Sequence, residues 1–455
     1  MSDLADAIYT QLLGAISGDA KRVLQLGPVD ERLEQRFKQS HPQAQWVGIG
    51  SISEGLGAST AYRDLAPSQQ TDKNDLRRLG SDFDVVVVAN LFEQLREPQR
   101  VLTQLYDMTA PHARIVSCLP NMTHISVVQR MLAGDASYDQ AGPLDCNHTR
   151  FLSPPSVFKA FLDSGWLPNL QNQFRVEPAQ GKFLTHLVAA AQALGLPTAT
   201  ALRNLGLYQM VVVAEKWPNR PQVASQDLTP FSVIVAVNRP WQYELNIARS
   251  PGLREVDADV VPVQGASNAA DAYAKGCSAA RRAWRVFAHQ DVYFPSGSGI
   301  AIAQQLAALD KESEHGAPIG FAGLHANEGL ESGLRYAGLV IDRTMLFSHD
   351  ASARAVSIDE FAVALHRDTK VHIDPTLGWH LWATDLCLQL LEAGTGNCGR
   401  ILRVPLFHNS TTAYELPPEF YKSANLLMAK HAGYLRVPTL CGHLTRSDPV
   451  ALPAA

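Results

Sequence analysis

The stretch Arg285-Val286-Phe287-Ala288-His289-Gln290-Asp291-Val292-Tyr293-Phe294 begins as an apolar strand and then presents an imidazole, an amide and a carboxylate. Open α/β sheets bind their ligands outside the carboxyl ends of the strands. Two more polar clusters follow in the same half of the chain, Trp-His-Leu-Trp-Ala-Thr-Asp at 379–385 and Pro-Leu-Phe-His-Asn-Ser at 405–410. The sequence therefore predicts an α/β domain in which these segments build one acidic, metal-capable site.

Length and composition bound the class of protein. The 455 residues exceed a single hydrophobic core, which rarely grows past about 250–300 residues, so we expect two domains. With 46% hydrophobic and 18% charged residues and no long apolar run, the composition is that of a globular protein without a transmembrane segment. Residues 1–6 lack the basic and apolar regions of a secretory signal, so we expect a cytoplasmic protein.

The charge and the cysteines argue against further classes. A formal net charge of -5 gives no reason to expect a basic surface, so no nucleic-acid partner is predicted. The six cysteines are widely spaced without a C-x-x-C pair, which disfavours a zinc ribbon or a thioredoxin-like motif and predicts reduced thiols. A homo-oligomer is compatible with this composition.

Strand and helix patterns define two domains. In residues 1–215, continuous apolar strands separated by helical stretches predict a parallel sheet that is buried on both faces. The predicted strands are 22–27, 45–50, 83–90, 113–121 and 208–214, and the predicted helices are 3–17, 98–106 and 155–164. Residues 216–230 have no apolar period and read as a linker. A second α/β domain spans 231–445, and 446–455 is an Ala/Pro tail.

The first domain resembles class I S-adenosylmethionine-dependent methyltransferases. The resemblance rests on Phe83-Asp84-Val85-Val86-Val87-Val88-Ala89-Asn90-Leu91-Phe92-Glu93-Gln94-Leu95 and on the later blocks 119–121 and 148–153, and it covers roughly residues 20–215. It implies a Rossmann-like methyltransferase fold. S-adenosylmethionine would then bind near Gly27, Glu54, Asp64 and Asn90.

Two features depart from that family. The first loop, Gly27-Pro28-Val29-Asp30, keeps one glycine of the usual pattern, and Pro28 removes a backbone donor. Gly50 or Ser51 stands where a ribose-binding acid is expected, with Glu54 as the nearest substitute. These departures favour a scaffold or recognition domain over a working methyltransferase, and both readings stay open.

The second domain is similar to bacterial glycosyltransferase-like domains with the GT-A fold. The blocks that carry the resemblance are 265–273, 286–294, 378–388 and 404–410, within residues 231 to about 440. It implies a nucleotide-diphospho-sugar transferase fold, a nucleotide-sugar donor, and a glycan, lipid-linked glycan or glycoprotein acceptor. The product would belong to surface polysaccharide or O-antigen-type biosynthesis.

The chemistry of glycosyl transfer assigns roles within that domain. The departing diphosphate gains negative charge, so a divalent metal such as Mn²⁺ or Mg²⁺ is expected there. His289-Gln290-Asp291 stands in place of the D-x-D element of GT-A enzymes, which makes Asp291 and His408 the predicted metal ligands. Asp385, at the start of the helical run 385–391, is the predicted general base.

The remaining site residues are predicted to bind the substrates. Donor-binding residues are Val237, Asn238, Ser267, Asn268, His289 and Gln290, and acceptor-binding residues are Trp379, His380 and Trp382. The pair Asp359-Glu360 reads as a solvated cap at a strand-to-helix turn. Two alternatives remain: a bifunctional glycosyltransferase and methyltransferase, and a non-catalytic carbohydrate- or protein-binding module.

Overall fold

The computed structural model describes residues 2–27, 31–49, 76–175, 181–194, 196, 198–221, 227–325, 335–349, 354–394, 399–411 and 415–446. The chain divides into two compact units, Met1–Asn219 (unit 1) and Arg220–Ala455 (unit 2). Within the described ranges, no helix combines the length and the apolar character needed to cross a membrane.

Unit 1 alternates strands and helices along the chain. Its strands are β1 (Arg22–Leu26), β2 (Gln45–Ile49), β3 (Phe83–Ala89), β4 (Thr109–Pro120), β5 (Trp166–Arg175) and β6 (Leu207–Lys216). Its helices are α1 (Ser2–Ala15), α2 (Glu31–Ser40), α3 (Pro98–Met108), α4 (Ile125–Leu132), α5 (Pro154–Asp163), α6 (Gly181–Ala193) and α7 (Thr198–Leu205). The predicted strands are confirmed as β1 to β4 and β6, and the predicted helices as α1, α3 and α5.

The unit 1 sheet has the order β2-β1-β3-β4-β6-β5. Strand β1 pairs in parallel with β2 on one side and with β3 on the other, and β4 continues in parallel. The strand order therefore reverses between β1 and β3, and such a switch point is where open α/β sheets bind ligands. Gly27 and Asn90 directly follow these two strands.

The far edge of this sheet differs from the prediction. Strand β6 runs antiparallel to β4, and β5 runs antiparallel to β6, so the sheet is mixed. Strand β5 was not predicted because Trp166-Leu167-Pro168-Asn169-Leu170-Gln171-Asn172-Gln173-Phe174-Arg175 has no continuous apolar run. An edge strand has one neighbour and more solvent, so its sequence signal is weak.

Unit 2 is richer in short strands. These are β7 (Phe231–Ala236), β8 (Asp259–Val263), β9 (Trp284–His289), β10 (Val292–Tyr293), β11 (Ile319–Gly320), β12 (Ala322–His325), β13 (Arg335–Asp342), β14 (Met345–His349), β15 (Arg354–Ile358), β16 (Ala362–His366), β17 (Gly399–Ile401), β18 (Leu406–His408), β19 (Arg436–Thr439) and β20 (Gly442–Thr445). Its helices are α8 (Pro240–Leu245), α9 (Pro251–Glu255), α10 (Ala269–Ala279), α11 (Ser298–Lys311), α12 (Trp382–Glu392) and α13 (Pro418–Lys430).

Most of these strands form one mixed sheet. It begins with the parallel trio β8-β7-β9, continues from β9 to the antiparallel β16, and reaches β13, β18 and β10 at the far end. Strand β18 lies between β13 and β10, and the register pairs His408 with Asp342 on one side and with Val292 on the other. The sheet itself thus brings the ends of β13 and β18 beside the segment that precedes β10.

Residues 285–294 form two strands rather than one. Strand β9 ends at His289, residues Gln290 and Asp291 form a turn, and β10 begins at Val292. The core packs against β9 through Phe287, whose ring lies 5.3 Å from that of Trp382 on α12. The polar turn is therefore held between two buried segments, which fixes where its side chains point.

Candidate functional site

A cavity of about 520 Å³ lies at the carboxyl ends of β7, β8 and β9. This is the edge at which parallel strands of an open sheet bind ligands, and the volume suits a small molecule. The predicted site residues in its lining are Val237, Asn238, His289, Gln290, Asp291, Trp379, His380 and Trp382. The lining also includes Arg239, Gln242 and Glu360, for which no binding or catalytic role was predicted.

Three metal-capable side chains converge beside this cavity; His289 and Asp291 line it, whereas His408 does not. One ligand atom from each of His289, Asp291 and His408 lies within 4.8 Å of the other two. The His408 Nε2 is 3.5 Å from the Asp291 Oδ1, and the rings of His289 and His408 are 5.6 Å apart. Two imidazoles and a carboxylate form a donor set that suits a divalent cation. His289, predicted to contact the donor, therefore stands among the candidate metal ligands.

Asp342 orients His408 from the opposite side. Its Oδ1 is 2.9 Å from the His408 Nδ1, which leaves Nε2 directed toward Asp291. A carboxylate behind a ligating histidine fixes the ring and its tautomer. Asp342 was not predicted, although it ends the apolar strand β13 just as His289 ends β9. The same strand-end pattern would have identified it.

The charges within this cluster are strongly coupled. Burial alone would lower the pKa of His408, but the Asp291 and Asp342 carboxylates outweigh it and raise that pKa well above its usual value. Burial would likewise raise the pKa of Asp291, but the charge of His408 and its hydrogen bond lower it. His408 is therefore a cation between two carboxylates, so this position accommodates positive charge.

Gln290 holds the adjoining loop rather than facing the cavity with free polar atoms. Its Oε1 accepts hydrogen bonds from the backbone amides of Asn238, at 3.1 Å, and Arg239, at 2.9 Å. Its Nε2 donates to the Asn238 Oδ1 at 2.6 Å. These contacts fix the start of α8. Arg239 is the one arginine or lysine among the described residues of the lining.

Ser267 and Asn268 are not in the cavity lining. Asn268 caps α10 by accepting a hydrogen bond from the Asp271 amide, at 2.8 Å. Ser267 donates its amide to the Asp271 carboxylate, also at 2.8 Å. Their side chains serve the helix start, while the neighbouring Gly265 and Ala266 line the cavity.

Asp385 is also absent from the cavity lining, and its carboxylate is fully engaged. His431 lies 2.7 Å away, Lys430 lies 2.9 Å away, and Gln389 donates to it at 2.7 Å. The residue is 0% exposed. A buried carboxylate with these partners cannot take a proton from an acceptor at the cavity, so we do not retain Asp385 as the base.

Glu360 brings a carboxylate to the cavity in its place. It lies in the turn between β15 and β16, so the predicted strand-to-helix turn is a strand-to-strand turn. Its side chain is 15% exposed, accepts the Leu381 amide at 3.1 Å and lies 3.8 Å from the His380 Nδ1. The pair Asp359-Glu360 is therefore not a solvated cap. Burial, and to a smaller extent the charge of Glu360, raises the pKa of Asp359.

The two tryptophans of the predicted acceptor site differ in surroundings. Trp379 is 39% exposed and lines the cavity, so its ring face is open to a ligand. Trp382 is 2% exposed and packs on Phe287 in the core. Only Trp379 has the exposure needed to stack on a sugar ring.

The cofactor residues predicted in unit 1 are partly described. Gly27 has φ +109°, and a Cβ built there would lie 2.6 Å from the Ala89 carbonyl oxygen. Glycine is therefore required where β1 ends beside β3. Asn90 adopts φ 49° at the end of β3. Glu54 and Asp64 lie outside the described residues.

Comparisons with known proteins match the first half of the chain. No family model matches, and no curated protein matches in sequence. Solved structures that match this half include a methyltransferase from Archaeoglobus fulgidus (13% identity, 48% of this chain, 95% of that chain, TM-score 0.32). A second is a methyltransferase from Mesorhizobium loti (15% identity, 46% of this chain, 98% of that chain, TM-score 0.29). A third is magnesium protoporphyrin IX methyltransferase from Synechocystis (11% identity, 47% of this chain, 82% of that chain, TM-score 0.29).

These neighbours are S-adenosylmethionine-dependent enzymes, and at such identities and TM-scores they do not bear on what unit 1 binds. The mixed α/β fold of unit 1 follows from its own strand order, with a switch point between β1 and β3. The resemblance of unit 2 to the GT-A fold stays a prediction.

Proposed function

We propose that residues 231–445 are a GT-A-type glycosyltransferase that moves a sugar from a nucleotide-sugar donor to a glycan, lipid-linked glycan or glycoprotein. The observation that carries the proposal is the approach of His289, Asp291 and His408 to within 4.8 Å of one another beside a cavity of about 520 Å³. Surface polysaccharide or O-antigen-type assembly is the process that this activity would serve.

The donor would lie along the carboxyl ends of β7 and β9. Asn238, Gly265 and Ala266 line the part of the cavity suited to a base and ribose, and Arg239 is placed for a phosphate. A divalent cation held by His289, Asp291 and His408 would supply positive charge beside the departing diphosphate. Two imidazoles among three ligands favour Mn²⁺ over Mg²⁺, which prefers oxygen ligands.

Glu360 is the general base of this proposal. As the acceptor oxygen bonds to the anomeric carbon, the bond from that carbon to the diphosphate oxygen breaks, and the diphosphate leaves with the electron pair. The acceptor proton passes to the Glu360 carboxylate. Trp379 offers an exposed ring face on which the acceptor sugar can stack.

Unit 1 contributes binding rather than glycosyl transfer in this proposal. Its switch point, with Gly27 and Asn90 at the ends of β1 and β3, is the position at which S-adenosylmethionine would bind if the unit methylates the same glycan. Calorimetry with S-adenosylmethionine and S-adenosylhomocysteine separates the readings. Tight binding supports a bifunctional enzyme, and no binding supports a scaffold or recognition role.

The test of the proposal measures donor binding and turnover. Melting temperatures of the full chain are recorded with nucleoside diphosphates and nucleotide sugars, with and without Mn²⁺. We expect one nucleotide class to raise the melting temperature when Mn²⁺ is present, and the matching nucleotide sugar to be hydrolysed slowly. Asp291→Asn should abolish the Mn²⁺-dependent hydrolysis.

Two variants sharpen this test. Glu360→Gln should retain nucleotide and Mn²⁺ binding but lose about 10²–10⁴-fold in sugar transfer, which is the contribution typical of a general base. Asp227→Asn alters an exposed carboxylate that pairs with Lys311, and it should behave as the unmodified chain. Unchanged hydrolysis by Asp291→Asn would refute the site, and glycan binding without any donor turnover would support the carbohydrate-binding module instead.

A further inference from the structure

A second group of metal-capable side chains lies outside the cavity. One ligand atom from each of Asp310, His315 and His366 lies within 4.8 Å of the other two. Asp310 is in the last turn of α11, His315 is in the loop that follows, and His366 is the last residue of β16. His366 pairs with Trp284, the first residue of β9, so the group sits at the opposite end of β9 from His289.

The Asp310 carboxylate is held firmly in place. The Trp284 Nε1 donates to its Oδ1 at 2.8 Å, and the Thr229 Oγ1 donates to its Oδ2 at 2.7 Å. A carboxylate oxygen can accept two interactions, so Oδ2 keeps capacity for a further partner and Oδ1 has one position beside Trp284. The His315 Nε2 is 3.0 Å from the same Oδ1. Carboxylate and imidazole are thus fixed before any ion binds.

The two imidazoles face each other at short range. Their ring centroids are 3.9 Å apart with an interplanar angle of 22°. His366 is 6% exposed, whereas the His315 side chain is 29% exposed, so the group is open to solvent on the His315 side. The Asp368 backbone amide donates to the His366 Nδ1 at 3.3 Å, and the Asp368 Oδ2 lies 3.4 Å from the same atom. With an ion on Nε2, Nδ1 would carry the proton and donate it to that carboxylate, which is the arrangement that supports metal-bound imidazoles.

The spacing matches what an ion would require. Ligands about 2.0–2.1 Å from a tetrahedral cation are roughly 3.3–3.4 Å from one another. The 3.0 Å between the His315 Nε2 and the Asp310 Oδ1 is close to that value. A cation can therefore replace the proton that these two atoms share. The His366 ring is stacked on that of His315, so it must rotate out of the stack for its lone pair to reach the same ion.

We propose that Asp310, His315 and His366 bind a late first-row divalent cation of the Zn²⁺ or Co²⁺ class, with water completing the coordination on the exposed side. Two imidazole nitrogens and one carboxylate oxygen suit these ions and disfavour Mg²⁺. The bound ion would link the end of α11 to the ends of the paired strands β9 and β16. It would stabilise unit 2, and it does not depend on the proposed transferase function.

The experiment counts Co²⁺ bound to the full chain, prepared without a polyhistidine tag. Equilibrium dialysis compares the unmodified chain with His315→Gln, His408→Gln and the double variant, all in excess Mg²⁺. His315→Gln should remove one equivalent of Co²⁺ in both backgrounds. In the His408→Gln background it should also remove the intense visible absorption of four-coordinate Co²⁺. His315 is partly exposed, so this variant is expected to fold.

A milder variant tests the outer carboxylate. Asp368→Asn should weaken Co²⁺ binding by about tenfold or more without changing the number of ions bound. If His315→Gln binds as much Co²⁺ as its parent in the His408→Gln background, or if that background binds none, the proposal is overturned. Failure of nucleotide-sugar turnover would leave this count untouched, so the two proposals fail separately.

Discussion

Glu93 carries a carboxyl group that is buried without a hydrogen-bond partner. The residue is 1% exposed, neither carboxylate oxygen has a hydrogen-bond partner among the described residues, and the His148 Nε2 is 3.8 Å from Oε1. Burial, with a smaller contribution from Asp145, raises the pKa of Glu93 from 4.5 to about 8. The group is thus neutral in the folded chain at pH 7, but ionised in the unfolded chain.

This difference predicts how the stability of unit 1 depends on pH. The folded pKa exceeds the unfolded one, so unfolding releases a proton between pH 4.5 and about 8, and stability falls as the pH rises through that window. The slope approaches about 1.4 kcal/mol per pH unit. Glu93→Gln should flatten it. Hydrogen exchange of β3 peptides in urea measures the free energy of opening.

The control for Glu93 lies four residues away. Glu97 is exposed, so Glu97→Gln should keep the pH slope of the unmodified chain. A Glu93→Gln chain whose β3 opening energy retains the full slope between pH 5 and 8 would show that another group titrates there.

The sequence predicts that His289 binds the nucleotide-sugar donor, whereas the structure places it among the candidate metal ligands. As a donor-binding residue it would mainly affect nucleotide affinity, whereas its position beside Asp291 and His408 makes it a metal ligand. His289→Ala should lower Mn²⁺ affinity at least tenfold, since even the loss of an outer partner of a metal ligand costs about 10–100-fold. Nucleotide affinity without Mn²⁺ should change little. Titration of free Mn²⁺ by electron paramagnetic resonance provides the measurement.

His380→Ala is the matched control for that prediction. His380 lines the same cavity and lies 3.8 Å from the Glu360 carboxylate, but it is not one of the three candidate ligands. Equal losses of Mn²⁺ affinity in the two variants would count against His289 as a ligand.

At the scale of elements, burial decided which predictions succeeded. Strand β3 has four consecutive valines at 1% exposure or less, and its continuous apolar run identified it. Strand β5 shares the sheet, but its partly polar sequence hid it. In the site, the polar residues at strand ends could be predicted from the sequence. The ion pairs of Asp385 could not, because Lys430 and His431, at the end of α13, are 45 and 46 residues away in sequence. Such pairings are set by packing, which a sequence pattern does not encode.

Helix α10 packs closely on β7 through a glycine. A Cβ at Gly276 would lie 2.2 Å from the Ile234 Cγ2, and Ile234 is fully buried. Alanine gains about 1 kcal/mol in helix propensity, but overpacking in a core costs about 1–3 kcal/mol, and a β-branched side chain in a strand has little freedom to move. Gly276→Ala should therefore destabilise unit 2 by roughly 1 kcal/mol, the middle of the difference between these two effects, measured as a lower melting temperature.

A second glycine calibrates this effect. Nothing lies within 4 Å of a Cβ built on Gly433, so Gly433→Ala should change stability by no more than about 0.5 kcal/mol. A Gly276→Ala chain that melts above the unmodified one would mean that helix propensity outweighs the contact with Ile234.

At the scale of the whole molecule, two separate cores predict two unfolding events. Unit 1 has a core cluster around Val23, Val85 and Val116, and unit 2 has one around Ile234, Phe287 and Trp382. Units of about 200 residues each lie within the usual size of independently stable domains. We therefore expect two calorimetric transitions in the full chain.

Ligands and variants should assign each transition to a unit. A nucleoside diphosphate with Mn²⁺ at a hundred times its Kd adds about 2.7 kcal/mol to the unit that binds it, so it should raise the transition that Gly276→Ala lowers. At pH 8, Glu93→Gln should raise the other transition, because it removes the cost of keeping a carboxyl group protonated in the folded chain. If both shifts fall on a single transition, units 1 and 2 unfold as one cooperative structure, and the prediction of two separate unfolding events is wrong.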